Sequence, residues 1–136
     1  MSDAAAALGR AFLSVIFIVS GYLKLVGTAG TIAYFTRIGV PEPKTMAYVV
    51  AAIELIGGLM VLVGFKARWA ALVLCVFTGV TIYLGHKFWA VPPDQYNNQL
   101  NHAMKNLAVM GGFLLLFAYG PGRYSVDARM GSGSRY

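Results

Sequence analysis

The chain has 136 residues, 58% of them hydrophobic and 12% charged, and its eleven Lys and Arg against five acidic residues give a net charge of +6. Because soluble domains carry roughly 25% charged residues, this composition excludes an ordinary soluble domain and indicates a single membrane domain. The basic residues are spread over the ends of apolar runs, as in membrane proteins, which argues against nucleic-acid binding.

The first predicted span covers about residues 4–26, which is long enough to cross a bilayer. Nothing basic precedes Arg10 and no small-residue cleavage site follows the run, so we interpret it as a retained span and not as a signal peptide. Its interruptions recur every three or four positions and share one helical face. They are Arg10, Ser14, Gly21 and Lys24, in line with Phe17. A helix exposed to lipid on all sides has no reason to align polar residues, so this face is predicted to contact other helices.

The connector of residues 28–44 is predicted to contain a short helix at the membrane interface. Thr31 is a candidate N-cap, Gly39 stops the helix, and Pro41 and Pro43 prevent its continuation. The apolar positions of this helix form one narrow edge, made of Ile32, Phe35 and Ile38. An ordinary loop is the alternative.

The second predicted span, about residues 45–64, carries Glu54 in an otherwise apolar run. At ~1.5 Å per residue Glu54 lies roughly 12 Å below the surface, close to mid-bilayer. An isolated carboxylate there costs about 2.5 kcal/mol or more, so Glu54 is expected to be paired, protonated or in a wet cavity. The alternative is a neutral Glu54 that hydrogen-bonds another helix and has only a structural role. Ala47, Ala51 and Gly58 share its face and allow close helix approach.

The third predicted span covers about residues 69–85 and forms an antiparallel hairpin with the second, because the turn between them is very short. Arg68 and His86 bracket this span and are 18 residues apart, which is five helical turns. Their side chains are therefore predicted to point the same way at opposite ends. Cys75, the single cysteine, allows neither an intrachain disulfide nor a Cys–His metal site, and it is expected to be a small buried hydrophobe.

The fourth predicted span covers about residues 102–119 and follows a long connector whose Trp89 is an interface anchor. The polar second half of that connector is expected to be a solvated loop. Residues 123–136 are expected to form a flexible tail. The prediction is thus one all-α, polytopic membrane domain over residues 1–136, a bundle of four transmembrane helices with a short interfacial helix between spans one and two.

Polar residues converge on one end of this predicted bundle. Four spans place both termini on one side, and a small excess of Lys and Arg there predicts cytoplasmic termini. The opposite end collects Lys24, His86, His102, Lys105 and Asn106. Glu54 lies about midway down from that end, so a pocket is predicted under the two long connectors. Lys24 is the natural partner of Glu54 there, although the two differ in depth by about 8 Å.

The candidates for ligand contact or proton relay are Lys24, Glu54, His86 and Asn106. A histidine titrates near neutral pH, so His86 can exchange a proton with Glu54 or a ligand, unless it is only an interfacial residue. Asn106 has an interhelical hydrogen bond as its alternative role. Residues that would support the pocket or its interface are Trp89, His102 and Lys105. At the opposite end, snorkelling to lipid head groups accounts for Arg10 and Arg68.

The order and spacing of several fragments between Leu8 and Asp127 are specific. They are SGYLK at 20–24, ELIGG at 54–58, GFKAR at 64–68, HKFW at 86–89, KNLAVMGG at 105–112 and GRYSVD at 122–127. In this combination the chain resembles the DoxX family of small bacterial four-helix membrane proteins. The positions that match the family motifs are Arg10, Lys24, Glu54, Arg68, His86, Trp89, Asn106 and Asp127.

This resemblance implies a multi-pass protein of the bacterial inner membrane with a link to quinones. Relatives include the membrane subunit of a thiosulfate:quinone oxidoreductase, and others are linked to quinone stress or to membrane-bound redox complexes. The implied ligand is a quinone and the implied partner a soluble oxidoreductase or sulfurtransferase. The alternatives are a non-catalytic scaffold for a soluble redox enzyme and a small transporter or proton pathway. No haem, iron–sulfur or flavin motif is present, so no intrinsic cofactor is expected, and small residues on several helix faces permit a homodimer.

Overall fold

In a computed structural model, which describes residues 2–131, the protein is built from helices, and no strand occurs in that range. The helices are α1 (Asp3–Val26), α2 (Thr28–Ile38), α3 (Pro43–Val63), α4 (Ala67–Gly85), α5 (Pro93–Tyr119) and α6 (Val126–Met130), with a 3₁₀ turn at Phe88–Ala90. Three of them, α1, α3 and α4 with the turn that follows it, are long and apolar enough to cross a membrane. The protein is therefore a polytopic helical membrane protein, and its first three spans follow the predicted boundaries closely.

Helix α5 is longer than the sequence suggested. It begins at Pro93, well before the predicted start at residue 102, so the polar stretch expected as a solvated loop is helical. Proline suits the first position of a helix and Asp94 in the first turn complements the helix dipole, which explains the early start. Because its first half is polar, α5 is not among the helices apolar enough to span by composition, and a count of four spans stays a prediction.

Within residues 2–131, the antiparallel pair α1 and α3 makes the most extensive contact between helices. The predicted contact faces of both helices are confirmed, because the residues predicted to lie on them are buried. They are Arg10, Ser14, Phe17 and Gly21 of α1 and Ala47, Ala51, Glu54 and Gly58 of α3. A Cβ atom added at Gly21 would lie 2.8 Å from the Leu55 nitrogen and 2.9 Å from the Ala51 carbonyl oxygen. The two backbones therefore approach as closely as they do because position 21 has no side chain.

The second antiparallel pair is α4 and α5. Arg68 donates to the carbonyl oxygens of Phe117 at 2.8 Å and Ala118 at 2.9 Å. At the other end of α4, His86 Nδ1 lies 3.0 Å from Gln99 Oε1. Both side chains thus face α5, which confirms the prediction that they point the same way at opposite ends of α4. Arg68 is exposed to solvent and also binds carbonyl groups near the end of α5.

An aromatic contact joins the two helix pairs. The rings of Phe17 and Phe113 lie 5.3 Å apart, and Phe113 and Leu74 are fully buried. Close by, Leu13 of α1 packs against Gly112 of α5, where an added Cβ atom would come within 2.8 Å of the leucine. These contacts close the half of the bundle that lies toward the chain termini, which we call the terminal end.

The opposite end, which we call the connector end, is covered by α2. This helix begins at Thr28, earlier than the proposed cap Thr31, because it follows α1 after a single glycine. It ends as predicted at Gly39, which has φ of 80°, a left-handed conformation that favours glycine. The predicted apolar edge is confirmed, since Phe35 is buried and its neighbours on that edge are half-buried. Helix α2 packs mainly on α3.

Arg10 does not snorkel to the lipid head groups, and that interpretation is wrong for it. Only 3% of Arg10 is exposed, and its guanidinium donates to the carbonyl oxygen of Leu62 at 3.0 Å and to that of Tyr124. Carbonyl groups in the last turn of a helix have no partner within the helix, so a buried arginine satisfies them. Arg10 therefore ties α1 to the end of α3 and to the segment after α5.

The segment after α5 also differs from the flexible tail that was expected, as far as it is described. The Asp127 carboxylate accepts the N–H groups of Lys66 at 2.7 Å and Ala67 at 2.8 Å, and its own N–H donates to the Gly64 carbonyl at 2.9 Å. The carboxylate thus caps the N-terminus of α4, where the helix dipole favours negative charge. Residues 132–136 of the predicted tail lie outside the described part of the chain.

A test of this packing is to replace Gly21 with alanine. The new Cβ atom would clash with the α3 backbone, so Gly21→Ala is expected to lower the melting temperature in detergent. Gly111→Ala is the matched control, because that glycine is also helical and nothing lies within 4 Å of an added Cβ atom. The control is expected to be neutral or to stabilise by up to about 1 kcal/mol, since alanine is the better helix former. Equal melting temperatures for the two variants would contradict the close approach.

Candidate functional site

A cavity of about 350 Å³ lies at the connector end of the bundle, beneath α2. Five helices line it, and most of its wall is apolar. The polar residues in the wall are Ser20, Lys24, Tyr34, Glu54, Thr78, Thr81, His86, Lys105 and Asn106. The structure therefore brings all four of the predicted ligand or relay candidates to one cavity, in the place where the sequence predicted a pocket.

An ion pair between Lys24 and Glu54 lies in the wall of the cavity. Lys24 Nζ lies 2.8 Å from Glu54 Oε2, and the exposed fractions of the two side chains are 23% and 8%. Ser20 adds a third member, since its hydroxyl lies 3.2 Å and 3.1 Å from the two oxygens of Glu54. Lys24 also donates to the Ser20 hydroxyl at 2.5 Å. The carboxylate deep in the span is thus paired and hydrogen-bonded, as its cost in lipid requires.

The predicted mismatch in depth between Lys24 and Glu54 disappears because of how helical side chains point. Each Cα–Cβ bond in a helix tilts toward the N-terminus of that helix. In the antiparallel pair, this tilt carries Lys24 from the end of α1 down into the bundle and carries Glu54 up toward the connector end. The two side chains therefore meet between their backbone depths.

The opposite wall of the cavity presents an amide and a hydroxyl. Asn106 Nδ2 of α5 donates to Thr81 Oγ1 of α4 at 3.2 Å, and Thr81 donates to the Thr78 carbonyl at 2.8 Å. Asn106 therefore makes the interhelical hydrogen bond that was its alternative role, and it also lines the cavity. The two roles are compatible, because the hydrogen bond holds the amide at the cavity wall.

Two histidines stack beside the cavity at the connector end. His86 lines the cavity, and its ring lies 5.0 Å from the ring of His102 with 16° between the planes. Lys105, which also lines the cavity, has its Nζ 3.5 Å from His102 Nδ1. The Gln99 oxygen that faces His86 Nδ1 suits the tautomer in which Nδ1 donates the hydrogen bond. These groups connect the cavity wall to the polar first half of α5.

The other predicted support residue, Trp89, lies away from the cavity. It is 53% exposed, and its ring contacts those of Tyr83 at 6.2 Å and Phe88 at 5.1 Å. This aromatic cluster on the outer surface suits the interface anchor that the sequence predicted. His86 therefore points to α5 and the cavity more than to Trp89.

Sequence reasoning missed four polar residues of the wall, namely Ser20, Tyr34, Thr78 and Thr81. A signal existed for Ser20, because it precedes Lys24 by one helical turn and shares its face. No such signal existed for the other three, whose positions depend on how α2 and α4 pack. Among residues 2–131, no group of three or more His, Cys, Asp or Glu residues is placed to hold a metal ion.

The ion pair gives a stability prediction. Lys24→Met would leave a buried carboxylate without its cation, which costs about 3–5 kcal/mol when a buried pair is broken. The double variant Lys24→Met/Glu54→Gln is expected to recover most of that loss, because glutamine carries no charge. Thermal unfolding in detergent measures both. Lys44→Met, at an exposed lysine, is the matched control, and a single Lys24→Met variant as stable as this control would contradict a buried ion pair.

Comparison with known proteins agrees with the motif resemblance. The DoxX family profile matches residues 5–87. The inner membrane protein YqjF of Escherichia coli is 39% identical over 127 residues, which cover 93% of this chain and 92% of the relative. The inner membrane protein YphA of the same organism is 31% identical over 122 residues, covering 90% and 87%. The putative oxidoreductase CatD of Bacillus subtilis is 49% identical over 59 residues, covering 43% and 42%.

No solved structure matches the chain significantly. The family assignment therefore depends on sequence, and the profile match includes the SGYLK and ELIGG fragments, which contribute Lys24 and Glu54 to the cavity. The two relatives from Escherichia coli extend the similarity over nearly the whole chain. The chain belongs to the DoxX family and is an inner membrane protein.

Proposed function

We propose that the protein binds a quinone in the cavity at the connector end and serves as the membrane subunit of an oxidoreductase system. The observation that carries this proposal is the arrangement of polar groups on two facing walls of a mainly apolar cavity. Lys24 and Ser20 stand on the α1 side, and Asn106, Thr81 and His86 stand on the α4 and α5 side. A quinone ring has carbonyl oxygens at its two ends, so hydrogen-bond donors on facing walls suit it.

The size and character of the cavity support the same class of ligand. Ligand pockets have volumes of about 300–1,000 Å³, with mostly apolar walls and a few placed polar groups. The volume of about 350 Å³ found here suits a group the size of a substituted ring. The aromatic rings of Tyr34, Phe35 and Phe77 line the same space and offer apolar contact to its faces.

Glu54 is proposed as the proton relay. Reduction of a quinone to the quinol takes up two electrons and two protons, and the protons must reach a site inside the membrane. Glu54 contacts the Lys24 ammonium and the Ser20 hydroxyl, so a proton that the carboxylate takes up can pass to a ligand bound beside them. His86, which lines the cavity and stacks on His102, is the proposed route to water.

The electrons are proposed to come from a soluble oxidoreductase or sulfurtransferase that docks on the membrane subunit. This part of the proposal follows from the sequence, which carries no redox-cofactor motif, and from the name of CatD, a putative oxidoreductase similar to part of this chain. We propose cytoplasmic termini, because Lys and Arg are in small excess near the terminal end. A homodimer is compatible with the small residues on several helix faces.

The alternative with the most support is a scaffold that anchors a soluble redox enzyme while the polar cluster only holds the fold. The ion pair and the Asn106–Thr81 bond would then be purely structural contacts. A transporter or proton pathway needs a polar route through the whole bundle. The terminal half of the bundle is instead closed by Phe17, Leu74 and Phe113, which argues against such a route.

The test is the affinity for a quinone with a decyl chain, measured by native mass spectrometry on protein purified gently from its own membrane. The variant is Lys24→Met/Glu54→Gln, which removes both charges together and leaves no unpaired one. A hydrogen bond to a charged group contributes about 1.5–3 kcal/mol, so the affinity is expected to fall about tenfold or more. The variant Glu54→Gln alone is expected to bind with little change and to lose turnover with the partner.

The matched control is Glu42→Gln/Lys44→Met, which makes the same change of charge at two exposed positions near the same end of the bundle. It is expected to bind the quinone like the natural protein. If neither the natural protein nor any variant binds the quinone while a soluble enzyme still co-purifies with all of them, the scaffold is the correct account.

A further inference from the structure

A groove on the outer flank of α1 continues the internal cavity. It runs over Phe12, Val15, Val19 and Leu23, each of them 49% exposed or more, and Thr31 of α2 also lines it. The four α1 residues lie on successive turns, so the floor of the groove is an apolar stripe that extends away from the connector end. In a membrane this stripe faces the hydrocarbon chains of the lipid.

Three residues belong to both hollows. Ile16, Ser20 and Lys24 line the groove and also line the cavity. They follow each other at intervals of four, so they form one edge of α1, with the groove on one side and the cavity on the other. This single row of side chains is the boundary between the interior of the bundle and the lipid.

The bundle is loosely closed at this boundary. Helix α1 packs far more extensively on α3 than on α5. The contacts that join α1 to α5, Leu13 with Gly112 and Phe17 with Phe113, lie toward the terminal end. Nearer the connector end, no such contact joins the two helices in the described structure. Ser20 and Lys24 of α1 line one side of the cavity there, and Lys105 and Asn106 of α5 line another.

The chemistry of the combined surface is that of a site for an amphipathic ligand. The cavity is close to the lower limit of ligand-pocket volumes, so it suits a ring but not a ring with a long chain. The Lys24 side chain is 23% exposed at the boundary, a polar group beside a stripe that is otherwise apolar. A ligand with a hydrogen-bonding ring and an apolar chain would satisfy both surfaces at once.

We propose that the cavity opens sideways to the lipid between α1 and α5, and that the apolar chain of a membrane-resident ligand lies in the groove over Val19, Val15 and Phe12. The ring enters past Ser20 and Lys24 and stays beside them. From Leu23 to Phe12 the groove follows about 16 Å of helix, at ~1.5 Å per residue, which is long enough to hold an extended apolar chain. This inference rests on the proposed function and adds the route and the site of the chain.

The test uses a quinone whose apolar chain carries a photoreactive diazirine near its free end. The natural protein in lipid nanodiscs is irradiated with this probe, with and without an excess of unlabelled quinone, and labelled residues are mapped by mass spectrometry. The expected result is labelling of Phe12, Val15 or Val19 that the excess quinone abolishes.

A pair of variants tests the groove separately. Val19→Trp fills it, and such overpacking is expected to weaken probe binding about tenfold. Val76→Trp is the matched control, because Val76 is an exposed valine on α4 outside both hollows. The control is expected to be labelled on α1 like the natural protein, while a Val19→Trp variant with undiminished labelling would contradict the groove.

The remaining outcomes separate the two proposals. Competed labelling at residues inside the bundle, such as Val50 or Phe77, would overturn the lateral opening and leave quinone binding in place. Labelling that excess quinone does not reduce anywhere in the protein would overturn quinone binding and this inference together.

Discussion

The ion pair between Lys24 and Glu54 is the constraint on which the rest of the structure depends. A carboxylate near the middle of a membrane needs a cation and hydrogen-bond donors close by, or it is too costly to place there. The helices that carry the two charges can bring them to 2.8 Å only because their backbones approach closely at Gly21. Ser20 then completes the set of donors around the carboxylate. The small residues along α1 and α3 and the buried charges therefore depend on each other, because the ion pair forms only where the two backbones approach closely.

The same packing leaves the cavity. Close contact between α1 and α3, and between α4 and α5, makes two tight pairs that meet firmly where Phe17 contacts Phe113. Toward the connector end the pairs separate, and the space between them receives polar groups from both. Helix α2 covers this space with Phe35, and α1 presents an edge to the lipid. One bundle thus has a sealed half, which holds the fold together, and an open half, which carries the proposed chemistry.

Helical periodicity was enough to predict the buried faces of α1 and α3, because regular helices fix relative direction. The order of the four predicted spans was enough to predict that Lys24, His86 and Asn106 meet at one end of the bundle, above Glu54. It failed where tertiary contacts satisfy backbone groups. Arg10 binds carbonyl groups at the end of α3, and Asp127 caps α4 from a distant part of the chain. The spacing of residues around Arg10 or Asp127 in the sequence does not indicate which distant backbone groups these side chains bind. The roles of Tyr34 and Thr81 in the wall were missed for the same reason, since both depend on how separate helices pack.

The central claim is that the cavity holds a quinone ring between Lys24 and the wall formed by α4 and α5. The most direct measurement is isotope-edited infrared spectroscopy of a bound quinone labelled with carbon-13 at its carbonyl groups. The account predicts that the carbonyl bands shift to lower frequency on binding, because the carbonyls accept hydrogen bonds, and that the shift diminishes in Lys24→Met/Glu54→Gln. Carbonyl bands at the same frequency as those of the quinone free in lipid, in the natural protein and in the variant alike, would contradict it.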